Sequence, residues 1–234
     1  MKERLQKLIY LIIGPLVRLL IKLHITPNMI TTAGFILNIF AAAVLIYGAD
    51  QLPKGDLSPL GWGGAIILFA GFFDILDGRL ARVGKMESKF GALYDSVLDR
   101  YSELFMFLGI CYFLIARHYF FGSLLAFIAL IGSMMVSYIR ARSEAIGVDC
   151  KTGLMQRPER IVIIGVSALV CGIAGAVSGG NQKIHVSWLP FPLAETILIF
   201  ILPLALVALL ANVTAVSRLL HSKNEIERSN YRDK

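Results

Sequence analysis

Asn28-Met-Ile-Thr-Thr-Ala-Gly-Phe-Ile-Leu-Asn-Ile-Phe-Ala-Ala-Ala-Val-Leu-Ile-Tyr-Gly-Ala49 contains no charged residue. As a helix it is long enough to cross the hydrocarbon core of a bilayer, which takes about 20 apolar residues. Similar runs recur to the end of the chain, and we read six spans: about 28–49, 59–80, 89–116, 119–146, 159–179 and 191–218. The breaks between them carry turn chemistry, in Pro53-Lys54-Gly55-Asp56 with Pro59, in Gly147 to Pro158 and in Gly179 to Pro190. Composition agrees. The 234 residues are 56% hydrophobic and 17% charged, whereas a soluble domain is about 45–50% apolar and about 25% charged. Disordered and collagen-like chains and most soluble enzymes are excluded. The expected class is an all-α polytopic membrane protein with no strands and no separate soluble domain.

Ahead of the first span, Leu5, Leu8, Ile9, Ile12, Leu16, Leu19, Leu20 and Leu23 recur at helical spacing against Arg4, Lys7, Arg18 and Lys22. This predicts an amphipathic helix over 1–25 lying on the membrane surface, bent at Gly14-Pro15. It has no small-residue cleavage site, which excludes a signal peptide. Thr26-Pro27-Asn28 starts the next helix. The resulting organisation is a surface helix at 1–25, a six-helix transmembrane domain at 26–220 and a tail at 221–234. Cys111, Cys150 and Cys171 lack metal spacing and read as small hydrophobes.

Lys and Arg distribute unevenly. The N-terminus, the connection holding Arg79, Arg82, Lys85 and Lys89, the connection from Arg140 to Arg160 and the C-terminus take nearly all of them. The other face takes Lys54, Arg117 and Lys183. By the positive-inside rule both termini are cytoplasmic. The same asymmetry accounts for the net charge of +7 without a nucleic-acid partner.

Against this apolar background, Asp74 and Asp77 stand three residues apart near the end of the second span, and Asp95 and Asp99 four apart near the start of the third. Each pair shares a helix face, and the short basic connection makes the helices neighbours. Ionisable residues at such depth are costly and default to function. Four carboxylates need protons or cations. An oxygen-only set without nearby His or Cys favours Mg²⁺, Mn²⁺ or Ca²⁺ over zinc. Two metals suit displacement at phosphorus. Arg82 and Lys85 could hold phosphate oxygens, while Gly78 and Gly91 leave room for a bulky ligand beside the backbone. The competing reading, structural ion pairs with Arg79, Arg82 and Arg100, explains one pair better than four carboxylates at matched depth.

Asp74-Ile-Leu-Asp77-Gly78-Arg-Leu-Ala81-Arg82, followed by Gly91, Asp95 and Asp99, resembles the signature of the CDP-alcohol phosphatidyltransferases, with eight fixed positions in 26 residues. The resemblance implies transfer of a substituted phosphate from a CDP-linked lipid such as CDP-diacylglycerol to an alcohol, with release of CMP. It implies two Mg²⁺ or Mn²⁺ ions held by Asp74, Asp77, Asp95 and Asp99, with Asp99 also the base for the acceptor hydroxyl. Gly78, Ala81, Arg82 and Gly91 would contact the nucleotide and diphosphate. A homodimer in a prokaryotic plasma membrane, with a cytoplasmic active site, is implied in the same way.

The signature does not choose the acceptor. Ser137-Tyr138-Ile-Arg140-Ala-Arg142 and Gln156-Arg157-Pro158-Glu159-Arg160 place cations close to membrane depth. This stretch resembles members that use inositol 1-phosphate, which makes Arg140 and Arg157, then Arg142 and Arg160, the expected acceptor-binding residues. For Arg142 and Lys151, setting topology is an equal reading. Inositol, glycerol 3-phosphate and serine remain alternative acceptors. The rival of another class, a divalent-cation transporter, calls for carboxylates at mid-membrane and a path to both sides. Here the carboxylates lie toward one face. Glu103 and Arg218 are left without a role.

Overall fold

In the computed structural model, which describes residues 13–150, 153, 155–184 and 194–232, the chain is almost entirely helical. Helix α1 covers 13–22, and six long helices follow: α2 (Pro27–Gln51), α3 (Ser58–Val83), α4 (Lys89–Ala116), α5 (Phe120–Ala145), α6 (Arg157–Ser178) and α7 (Leu198–Arg232). A two-residue antiparallel ribbon, β1 (Lys183–Ile184) with β2 (Ala194–Glu195), corrects the expectation of no strands. Its Asn181 and Thr196 neighbours fasten the connection backward: Ile197 N donates to Asn181 Oδ1 and Gln182 N to Thr196 Oγ1, each at 3.1 Å. The expected surface-helix residues before Ile13, along with Lys151, lie outside the described residues.

The chain is an integral membrane protein. Five helices (α2, α3, α5, α6 and α7) are long and apolar enough to cross a bilayer. Their outward residues are apolar, such as Phe40, Phe121, Val177 and Leu209, as lipid contact requires. The 28-residue α4 is just as long, but Lys89, Asp95, Asp99, Arg100 and Glu103 crowd its first half. In α1, Ile13, Val17 and Leu20 are buried against Ile30, Leu76 and Leu80, while Leu16 and Leu19, and Leu23 in the turn that follows, stay exposed. Thr26 precedes α2 with Pro27 in the first turn, but its side chain makes no capping bond. Helix α7 runs past 218 and across the expected tail boundary to Arg232, supported by the pairs Lys223–Glu227 and Glu225–Arg228 on exposed turns.

Helix α3 packs on α2 and α6, α4 on α2 and α5, and α7 on α5 and α6. A seam of direct backbone contact joins α3 to α6. A Cβ on Gly172 would lie 2.3 Å from Gly61 Cα, and one on Gly64 would lie 2.7 Å from Gly165 O. Small residues permit this backbone contact, the usual device between membrane helices. The seam sets the distance between the halves of the two helices that carry Asp74 and Arg157. Gly172→Val should therefore separate the helices and lower stability by about 1–3 kcal/mol, read as a reduced melting temperature in detergent. An unchanged melting temperature would refute the tight seam.

Candidate active site

The four aspartates come from two helices that leave and re-enter one short connection. After α3, Gly84 N bonds Leu80 O and Met86 N bonds Ala81 O, and Lys85 takes a left-handed conformation at φ 53°. Ser88 then caps α4, accepting the Gly91 N–H at 2.9 Å. The reversal does not make α3 and α4 packed neighbours as expected: both pack on α2, and Asp77 and Asp95 face each other across the gap between them.

A cavity of about 300 Å³ opens between the start of α2, the end of α3 and the start of α4. Asp77, Gly78, Ala81 and Arg82 line one wall, Gly91 and Asp95 the opposite one, and Pro27, Asn28 and Thr31 the back. The signature residues thus converge, save Asp74 and Asp99, which turn to the α6 side. A Cβ on Gly78 would meet nothing nearer than Arg82 Nη2 at 3.6 Å. Packing within the protein does not demand glycine there, so the room is left to the cavity. Arg82 Nε donates to Gly78 O at 2.8 Å and lies along this rim.

Asp77 is buried and accepts a 2.7 Å hydrogen bond from Thr31 Oγ1. Thr31 was not among the expected residues. Its signal in the sequence is a hydroxyl one turn into a helix that begins at Pro27. Asp74 Oδ2 and Asp99 Oδ1 lie 2.7 and 2.8 Å from the same nitrogen, Arg157 Nη1. Carboxylates from α3 and α4 are thereby joined through the first turn of α6.

The donor set fits a hard divalent cation: oxygen only, partly buried and strongly negative. The guanidinium of Arg157 already supplies positive charge to two members of it. The aspartates are drawn apart as they stand, toward Arg157, toward Thr31 and along the cavity wall. Accordingly, among the described residues no three acidic, His or Cys side chains close round one point.

One turn deeper, Arg160 and Glu103 form an ion pair at 2.7 Å, the side chains 0% and 2% exposed. Arg160 Nε also reaches Glu103 Oε1, and Nη1 donates to Met155 O. This corrects the expectation for Arg160. With its three nitrogens engaged inside the protein, it supports α6 and turns no donor toward an acceptor. Arg140 is half exposed and paired with Glu144 at 2.8 Å on its own helix. Arg142 lines a separate groove between α5 and α7, beside Leu219 and Ser222. Of the four arginines, only Arg157 reaches the carboxylates. Arg218 is buried, donating to Val136 O.

The profile of the CDP-alcohol phosphatidyltransferase family matches residues 24–222. Archaetidylinositol phosphate synthase of Pyrococcus horikoshii is 36% identical over 179 residues, 74% of this chain and 82% of that one. Phosphatidylinositol phosphate synthase of Corynebacterium glutamicum is 32% identical over 71% of this chain and 74% of its own. The crystal structure of phosphatidylinositol phosphate synthase from Mycobacterium tuberculosis with CDP-DAG bound superposes with a TM-score of 0.67 at 27% identity, covering 89% of this chain and 92% of that one. The same enzyme in complex with manganese and citrate gives 0.66, also at 27% identity, covering 89% and 87%. With its eight signature residues on the two facing helices, and with relatives that share most of its length, this chain belongs to the CDP-alcohol phosphatidyltransferase family.

Proposed function

We propose that this enzyme transfers the phosphatidyl or archaetidyl group of a CDP-linked lipid to inositol 1-phosphate and releases CMP. The observation that carries the acceptor is the placement of Arg157 beside Asp99. The partly exposed guanidinium is paired with Asp99 at 2.8 Å; released from it, the guanidinium lies within reach of the phosphate of an alcohol whose hydroxyl faces Asp99. The names of the relatives above point the same way. Asp74, Asp77, Asp95 and Asp99 would hold two Mg²⁺ or Mn²⁺ ions. When bound, these would neutralise the donor diphosphate and stabilise the departing CMP phosphate.

The residues of the chain divide the remaining work. Gly78, Ala81 and Gly91 leave the cavity open for the nucleotide, with Arg82 at its rim for diphosphate oxygens. Thr31 fixes the Asp77 carboxylate. Arg157, with Arg140 further out, holds the acceptor phosphate, which orients the attacking hydroxyl. Asp99 takes the hydroxyl proton as the oxygen bonds to the lipid-side phosphorus and the phosphorus–oxygen bond to CMP breaks. The whole chain is read as six spans, α4 included, with α1 at the membrane surface and both termini cytoplasmic. The homodimer implied by the family resemblance is tested by the mass of the detergent-solubilised particle.

The deciding experiment measures CMP release from CDP-diacylglycerol with Mn²⁺ and one acceptor at a time. Inositol 1-phosphate should sustain it. Release with inositol, glycerol 3-phosphate or serine instead would overturn the acceptor assignment. Arg157→Gln should raise KM for inositol 1-phosphate by roughly 10–100-fold, the worth of a charged hydrogen bond. KM for a neutral acceptor should not move.

A further inference from the structure

Two ion-pair rungs join α6 to α4, and they differ in kind. In the lower rung, Glu103 and Arg160 meet at 2.7 Å with no route to solvent. Arg160 Nη1 also ties back to Met155 O, just ahead of α6. This fixes the first turn of the helix. The N-terminus of α6 is fixed again by a capping box, in which the Gln156 N–H donates to Glu159 Oε2 at 2.7 Å. In the upper rung, Arg157 is one turn from Arg160 and Asp99 one turn from Glu103, so the pairs repeat along both helices. Here the side chains are 16–26% exposed. One nitrogen, Nη1, serves both Asp74 and Asp99, while the buried Nε of Arg157 has no partner.

A side chain held by one of its nitrogens, on a rigid helix turn and at the edge of solvent, can let go without disturbing the fold. The oxygens it holds are those that the metal reading of the site assigns to a divalent cation. A guanidinium at 2.7 and 2.8 Å from them and a cation bound to the same oxygens exclude one another, by charge and by space.

Resting on that reading of the site, we infer that Arg157 is an exchangeable counter-ion of the carboxylate cluster. It holds Asp74 and Asp99 in the metal-free protein, leaves them when a divalent cation binds, and is thereby freed for an anionic ligand. Metal loading then creates the anion receptor, and the acceptor phosphate meets a competent site only after the metal has arrived. Without the guanidinium, the metal-free cluster would concentrate negative charge in a poorly solvated place. Arg157 relieves that charge, and the structure need not rearrange beyond one side chain.

The test uses the full chain in detergent, without donor lipid. Arg157 is labelled with phenylglyoxal and its modification rate read by peptide mass spectrometry, with exposed Arg228 as internal reference. Binding of Mn²⁺ is followed separately by its effect on the melting temperature. Addition of Mn²⁺ should raise the Arg157 rate by about tenfold, one charge-assisted pairing released. Addition of inositol 1-phosphate should then lower it again. In parallel, Arg157→Gln should lower the melting temperature of the metal-free protein, and the deficit should shrink once Mn²⁺ is present. Mn²⁺ binding with Arg157 still protected and the deficit unchanged would overturn the exchange alone. No Mn²⁺ binding at all would overturn the metal reading and the exchange together. Exposure of Arg157 by Mn²⁺ without reprotection by inositol 1-phosphate would uphold the exchange and overturn the acceptor assignment.

Discussion

Asp99→Asn lowers acceptor-dependent CMP release by roughly 10²–10⁴-fold, the range for removing a positioned general base, while the protein remains folded. The substitution nearly preserves shape. An amide oxygen can still accept from Arg157 Nη1, now 2.8 Å from Asp99 Oδ1, so the rung between α4 and α6 survives in weakened form. What the amide cannot do is take a proton from the acceptor hydroxyl. The loss should therefore fall on the chemical step, in single-turnover release of CMP at saturating inositol 1-phosphate. The melting temperature of the metal-free protein should shift little by comparison. If Asp99 served only as a counter-ion for Arg157, the substitution would instead change KM for the acceptor and spare the rate at saturation. Asp95, one turn earlier on the same helix, lines the cavity on the nucleotide side. Its replacement should weaken donor binding as well as turnover.

The carboxylates were legible in the sequence because cost makes them conspicuous. Asp74, Asp77, Asp95 and Asp99 stand in apolar helices where each charge needs a reason, and their spacing of three and four puts each pair on a face. The cavity glycines were legible for the same reason of context. Helix ends were read within a few residues for α2 to α6. The start of the last helix was not: the sequence puts the last span at 191–218, whereas α7 begins at Leu198 after the β1–β2 ribbon. Hydropathy registers length and apolarity, and two-residue strands have no period to detect. The pairing of charges was the least legible feature. Arg157 and Arg160 read alike as cations flanking a membrane segment. Only the angle at which α6 meets α3 and α4 decides that one lies over Asp74 and Asp99 while the other is sealed against Glu103. Glu103 had no evident role for the same reason, since its partner is 57 residues away along the chain. Thr31 was missed because a hydroxyl in a membrane helix commonly bonds its own backbone, as Thr32 does to Asn28 O.

Glu103→Leu should destabilise the protein by about 3–5 kcal/mol, because it leaves the fully buried Arg160 without its counter-charge. The pair is not a strong source of stability in itself. Desolvating two charges offsets most of their attraction, and an apolar pair of similar volume commonly does as well. The damage comes from breaking the pair on one side. Glu103→Leu combined with Arg160→Met should therefore regain most of the lost stability, and the two single effects should be far from additive. Unfolding by denaturant in detergent, read by circular dichroism, measures all three variants. Additive losses would mean that the two side chains contribute through packing alone. The double variant also separates folding from function. It restores a packed interface but removes the tie from Arg160 to Met155 O, so the first turn of α6 is held by its capping box alone. Arg157 then has more freedom over the carboxylates, and the double variant should fold yet show a raised KM for inositol 1-phosphate. Wild-type KM in a stably folded double variant would confine Glu103 and Arg160 to a structural part. A raised KM would make them the pair that aims Arg157, with a charge buried where it is costly because it fixes the position of another.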